Sequence, residues 1–148
     1  MKFILFCFTP GLLLASISNY GNIPDVRYIS NYDGDTIKVS IEGITPIFGS
    51  EIPVRLYGID TPEIKSKDQC EKQKALEAKE IVRTLLVKAK KVSLRDIKRD
   101  KYFRILAKVY ADDVNVSDEL IKKHLAYEYN GDTKKKINWC KDTNTTER

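Results

Sequence analysis

One stretch of this chain carries a helix-length apolar stripe, and it is set among short runs with the period of β-strands. Between residues 69 and 91, Ala78, Ile81, Val82, Leu85, Leu86 and Ala89 fall at i, i+3, i+4, i+7, i+8 and i+11, with Lys and Glu elsewhere. A single amphipathic helix cannot bury its stripe alone, so it needs a sheet to pack on. The sheet is legible as β-rich runs at residues 26–31, 36–41 and 53–58 before the helix, and 92–97 and 103–110 after it. In the second run Ile37, Val39 and Ile41 alternate with Lys38 and Ser40; in the third, Val54 and Leu56 share one face and Arg55 and Tyr57 the other. Ile105, Ala107 and Val109 are the inward set of the last run, which leaves Arg104 on the opposite face. A short helix is expected at residues 116–124, capped by Asn115 or Ser117. The pair Asp33-Gly34 suits the positive φ angles of a tight hairpin. These patterns predict an α+β fold, mainly β: a five-stranded barrel of the OB type, the long helix inserted after the third strand and a short helix after the fifth.

A chain of 148 residues with 42% hydrophobic content supports one compact domain, expected over residues 19–148. Residues 1–18 have the form of a cleaved secretory signal: Lys2, an apolar run, then Ser16 and Ser18 before Asn19. Pro10 and Gly11 interrupt that run, which is too short to span a bilayer, so the mature form is expected secreted or periplasmic, with no membrane association. Cys7 leaves with the signal. Cys70 and Cys140 remain, and in an oxidising compartment this even count permits a disulfide; the other reading is two unpaired buried thiols. With 26 Lys and Arg against 21 Asp and Glu, a net charge of +5 favours a polyanionic partner over a cationic one.

Three segments carry chemistry. Asp33-Gly34-Asp35-Thr36 lies at the first hairpin. Arg55-Leu56-Tyr57-Gly58-Ile59-Asp60-Thr61-Pro62-Glu63 is a strand that delivers carboxylates around a Thr-Pro. Carboxylates held close repel unless a cation neutralises them, and an oxygen-only set of Asp35, Asp60, Glu63 and a backbone carbonyl suits Ca²⁺ or Mg²⁺. The third segment, Arg99-Asp100-Lys101-Tyr102-Phe103-Arg104, ends in an arginine on a polar strand face. Arg55 and Arg104 offer planar, permanently charged forks matched to phosphate oxygens; surface ion pairing is the alternative use of either.

In this order, Asp-Gly-Asp-Thr, then Arg-Leu-x-Gly-Ile-Asp-Thr-Pro-Glu, then Arg-x-Lys-Tyr-x-Arg-x-Leu-Ala resemble the staphylococcal nuclease family over residues 26–129. The resemblance implies a monomeric OB-fold endonuclease that hydrolyses DNA and RNA with Ca²⁺, cutting at the 5′ oxygen to leave 3′-phosphate ends. Carried over by position, Asp35 and Asp60 would be carboxylate ligands of the metal and Thr61 a carbonyl ligand. Glu63 would position or deprotonate the attacking water, Arg55 and Arg104 would hold the phosphate, and Asp33 would stand beside the metal. Lys101, Tyr102, Tyr127 and Tyr129 match its nucleotide-binding residues, with strand or core packing the other reading of Tyr127 and Tyr129. Two departures stand out. The family prototype has no cysteines, and the C-terminal part here is short, with Asn138-Trp139-Cys140 in place of a long final helix. Lys134 to Lys136 is a basic run that either holds phosphates or is a solvated surface.

Two rival readings are a nucleic-acid-binding domain of the same fold without catalysis, and a secreted calcium-binding structural protein. The first has no reason to keep Asp35, Asp60, Glu63, Arg55 and Arg104 together. The second leaves the two arginines without a use.

Overall fold

The computed structural model describes residues 19–100, 102–134 and 136–140; the expected signal at 1–18, with Cys7, and Lys101 lie outside the described residues. The fold is mixed α+β and mainly strand. In chain order it runs β1 (Arg27–Asn31), β2 (Thr36–Ser40), α1 (Pro46–Gly49), β3 (Ile52–Leu56), β4 (Ile59–Asp60), α2 (Gln69–Lys88), β5 (Val92–Arg99), β6 (Ile105–Ala111), β7 (Val114–Asn115), α3 (Val116–Lys122) and β8 (Tyr127–Glu128).

The main sheet has the order β1-β2-β3-β6-β5, with β7 added to β6, while β4 and β8 form a separate pair. Only β3 and β6 among these neighbours run parallel, which their separation by α2 and β5 permits. The strand path is open rather than closed. Its far edge is nonetheless occupied, because the segment leading into β1 bonds to β5: Ile23 and Leu94 exchange N–H···O bonds of 2.8 and 2.9 Å, and Val26 N donates to Val92 O at 2.9 Å. Such cover leaves no long bare edge there.

The expected helical stripe becomes the helix's buried face, with Ala78, Val82 and Leu86 buried and Ile81, Leu85 and Ala89 partly so. Ala75, one turn earlier, extends that face. It packs in one cluster with Ile37, Val39, Val54, Leu56, Ala107 and Val109, all at 0–1% exposure. Each Val, Leu or Ile in it contributes about 1.5–3 kcal/mol on burial, so this cluster is the main stabilising element. Asp68 starts α2 by accepting from Cys70 N and Glu71 N, and Asn115 starts α3 by accepting from Ser117 N.

Three features differ from the sequence expectation. First, α1, β4, β7 and β8 are additional short elements, too brief to show a period. Second, β5 is bulged between Arg95 and Lys98, with Asp96 at φ 53°. Third, Gly34 does not take a positive φ. Asp33 makes the hairpin instead, its Oδ1 accepting from Asp35 N at 3.1 Å and Thr36 N at 2.8 Å. Gly34 is needed for space: a Cβ there would lie 2.8 Å from Ala78 Cβ and 3.0 Å from Thr61 Cγ2. The tail is held at the two residues expected to hold it, with Cys140 bonded to Cys70 across 6.4 Å between Cα atoms and the Trp139 ring packed at a tilt 5.9 Å from Tyr127.

Candidate active site

The site sits where the heads of β2, β3 and β4 meet. Asp35 immediately precedes β2, and its carbonyl accepts from Leu56 N at 2.8 Å, which locks it beside β3. On β3 the alternation that buries Val54 and Leu56 turns Arg55 to the other face, opposite Thr36. The chain then reverses at Gly58, whose φ of 88° a residue with a Cβ seldom adopts, and returns as β4 with Asp60. Pairing of Asp60 with Tyr127 on β8 closes the group.

Arg55 is the hub. Nη1 donates to Asp35 Oδ1; Nη2 donates to Asp60 Oδ1 at 2.8 Å and to Ile59 O at 3.2 Å. Both aspartates are 4% exposed. Burial works against charge on Arg55, but Asp35 and Asp60 outweigh it and hold the guanidinium above its ordinary value. Three hydroxyls also donate to these carboxylates. Thr36 Oγ1 donates to Asp35 Oδ1 at 3.0 Å, Thr61 Oγ1 to Asp35 Oδ2 at 3.2 Å, and Tyr127 Oη to Asp60 Oδ2 at 3.0 Å. Burial first, and then the neighbouring Asp35 carboxylate, push Asp33 up to about 6.

Above this floor is a cleft of about 350 Å³ whose lining includes Asp35, Arg55, Thr61, Glu63, Arg104 and Lys134. Glu63 is largely exposed on the rim; its N–H donates to Glu71 Oε1 at 3.2 Å, tying its loop to α2. Arg104 stands on the rim formed by the β5–β6 turn. Asp100 shapes that turn by accepting from Tyr102 N and Arg104 N at 2.8 and 2.9 Å, and it holds Arg104 Nε at 2.7 Å. Phe103, at φ 61°, makes the reversal that aims Arg104. Tyr102 and Tyr129 also line the cleft. Tyr127 lies at Asp60 instead, between Tyr129 and Trp139, with ring centres 6.5 and 5.9 Å away. Asp35, Arg55, Thr61, Glu63, Arg104, Tyr102 and Tyr129 are thus brought to one cleft, with Asp60 and Tyr127 braced against its floor.

Two contributors were not among the expected site residues. Lys134 reaches both Asp60 and Glu63, and only its place in a basic run hinted at a role. A second cleft, of about 300 Å³, adjoins the first through Arg55, Arg104, Tyr102 and Tyr129, and is lined further by Tyr57 and Lys98. Lys98 Nζ sits 4.2 Å from the Tyr57 ring centre.

Asp35 and Asp60 with Thr61 are an oxygen-only donor set, which fits a hard divalent cation with water completing its shell. Among the described residues no three of His, Cys, Asp and Glu gather as a metal-binding group.

Comparison with known proteins places residues 53–145 in a match to the family model described as staphylococcal nuclease homologue. Among curated proteins, the chain is similar to the SPbeta prophage-derived endonuclease YokF of Bacillus subtilis (strain 168), 37% identical over 116 residues that cover 74% of this chain and 37% of that protein. It is also similar to endonuclease YncB of the same organism, 37% identical over 108 residues, covering 69% of this chain and 48% of that protein. The chain spans less than half the length of either relative.

Proposed function

Because the chain belongs to the staphylococcal nuclease homologue family, we propose that it is a Ca²⁺-dependent endonuclease that hydrolyses DNA and RNA at the 5′ oxygen, leaving 3′-phosphate ends. The observation that carries this reading is the joining of two buried aspartates on Arg55 beneath a cleft that also holds Glu63 and Arg104. A binding domain gains nothing from that cluster, since burying paired charges costs desolvation without adding affinity.

Asp35, Asp60 and the Thr61 carbonyl would hold the ion. When bound, the ion supplies charge stabilisation to a phosphoryl oxygen and lowers the pKa of a coordinated water. Arg55 and Arg104, approaching from the floor and from the rim, bind the remaining phosphoryl oxygens, where negative charge builds as water attacks. Glu63, exposed and hinged on a loop, orients that water and accepts its proton. Tyr102 and Tyr129 at the cleft offer faces on which any base stacks, in keeping with a sequence-tolerant substrate.

The reading takes the protein as an exported monomer. The character of residues 1–18 and the Cys70–Cys140 bond support export, because such bonds persist in oxidising compartments. No described helix is long and apolar enough to cross a membrane.

The test is degradation of single-stranded and duplex DNA with Ca²⁺, with Mg²⁺ alone and with a chelator, alongside Glu63→Ser and Arg104→Ala. Cleavage that needs Ca²⁺ and collapses in both variants is expected. DNA bound but intact under every metal would overturn the reading in favour of a binding domain.

A further inference from the structure

Among the described residues, Lys134 is the one cation in direct contact with both a floor aspartate and the rim glutamate. Its Nζ lies 3.0 Å from Asp60 Oδ1 and 2.9 Å from Glu63 Oε1, although it is 71 residues from Glu63 in sequence. Asp60 then meets three donors, with Arg55 and Lys134 on one oxygen and Tyr127 on the other.

Charge balance gives this contact a meaning. Among the described residues, Asp35, Asp60 and Glu63 are in direct ion pairs with two cations, Arg55 and Lys134, so these five groups together keep one negative charge in excess. A divalent ion seated on Asp35 and Asp60 reverses that sign, and it meets an ammonium on one of its own ligand oxygens. Arg55 cannot yield, being enclosed by both aspartates and the Ile59 carbonyl. Lys134 can: its side chain is half exposed, on a flexible four-carbon stem. The backbone that carries it is held close by the tail's two anchors, the Cys70–Cys140 bond and the stacking of Trp139 on Tyr127.

We propose that Lys134 is a positioning residue that serves as the exchangeable counter-ion of the site. It bridges Asp60 and Glu63 while no metal is bound, competes with the metal for Asp60, and on being displaced frees Glu63 for its water. This deepens the nuclease reading and rests on it, because it takes Asp35 and Asp60 as the metal's ligands.

The test titrates Ca²⁺ alone, with no substrate, into the full chain and into Lys134→Met, Lys134→Arg and Lys136→Gln. Binding is followed by calorimetry and by the fluorescence of Trp139, the sole tryptophan, which is coupled to Asp60 through Tyr127. Loss of a competing half-exposed cation tightens Ca²⁺ binding in Lys134→Met by about two- to fivefold, while Lys134→Arg stays near the parent. Lys136→Gln, which removes the same net charge from an exposed neighbour, shifts affinity less than Lys134→Met does. In chelator Lys134→Met melts about 2–4 °C below the parent, and saturating Ca²⁺ narrows that gap. Equal or weaker Ca²⁺ affinity in Lys134→Met, or an equal gain in Lys136→Gln, overturns the inference and leaves the nuclease reading standing. Absence of Ca²⁺ binding in every protein overturns both.

Discussion

The floor and the rim of the cleft are built from the same residue types under opposite constraints. On the floor, Asp35, Arg55 and Asp60 project from or beside paired strands, are nearly excluded from water, and are joined to one another by ion pairs. On the rim, Glu63, Arg104 and Lys134 stand on loops and the tail, with 48–61% of their side chains exposed. The floor is therefore preorganised and contributes to folding, whereas the rim can reorient when substrate or ion arrives. Stability and activity should separate along this line.

The sharpest way to break the comparison is Arg55→Met. Two buried carboxylates would lose their shared partner, and the expected cost is about 3–5 kcal/mol of stability together with activity, read by denaturant unfolding in chelator. A stable Arg55→Met protein would mean the floor is not a folding element. Glu63→Ser is the opposite case: about 10²- to 10⁴-fold lower cleavage, with stability within about 0.5 kcal/mol of the parent. If it unfolds more readily than that, the rim is structural after all.

Replacing both Cys70 and Cys140 with serine should cost about 2–4 kcal/mol, since the bond joins residues 70 apart. Intact stability in that variant would show that Trp139 alone anchors the tail.

Asp33 provides a pH test of the floor. Its folded-state value of about 6 lies above the ordinary 3.8, so the folded protein holds that proton more tightly. The resulting stability is full below about pH 4 and is lost as pH rises through 6, a change of order 1 kcal/mol after allowing for solvent screening. Asn keeps the oxygen that Asp35 N and Thr36 N need, so Asp33→Asn should flatten this part of the stability profile in chelator without loosening the hairpin. An unchanged slope would assign the titration elsewhere. Smallest of all, Tyr127→Phe removes one hydrogen bond from Asp60 and should cost about 1 kcal/mol; a neutral result would mean that water replaces the hydroxyl.

Much of the scaffold was legible because its signals are local. The two-residue period that buried Val54 and Leu56 also turned Arg55 toward Asp35, and the stripe from Ala78 to Leu86 marked the helix face correctly. Gly34 was misread for an instructive reason. Its dipeptide context suggested a positive φ, but the requirement is set by Ala78 and Thr61, neither of which is near it in sequence. The short β4 and β8 escaped notice because a two-residue strand has no period and exists only through its partner.

By itself, then, the sequence determined the strand and helix runs, their inward faces and the order of the acidic and basic segments, since these depend on backbone period and neighbouring residues. Tertiary structure alone decided that β3 lies parallel to β6, that Tyr127 braces Asp60 from 67 residues away, and that a tail lysine spans Asp60 and Glu63. The physical reason is that such contacts join distant segments, and their geometry follows from how the helix, the sheet and the disulfide-bound tail pack around one core.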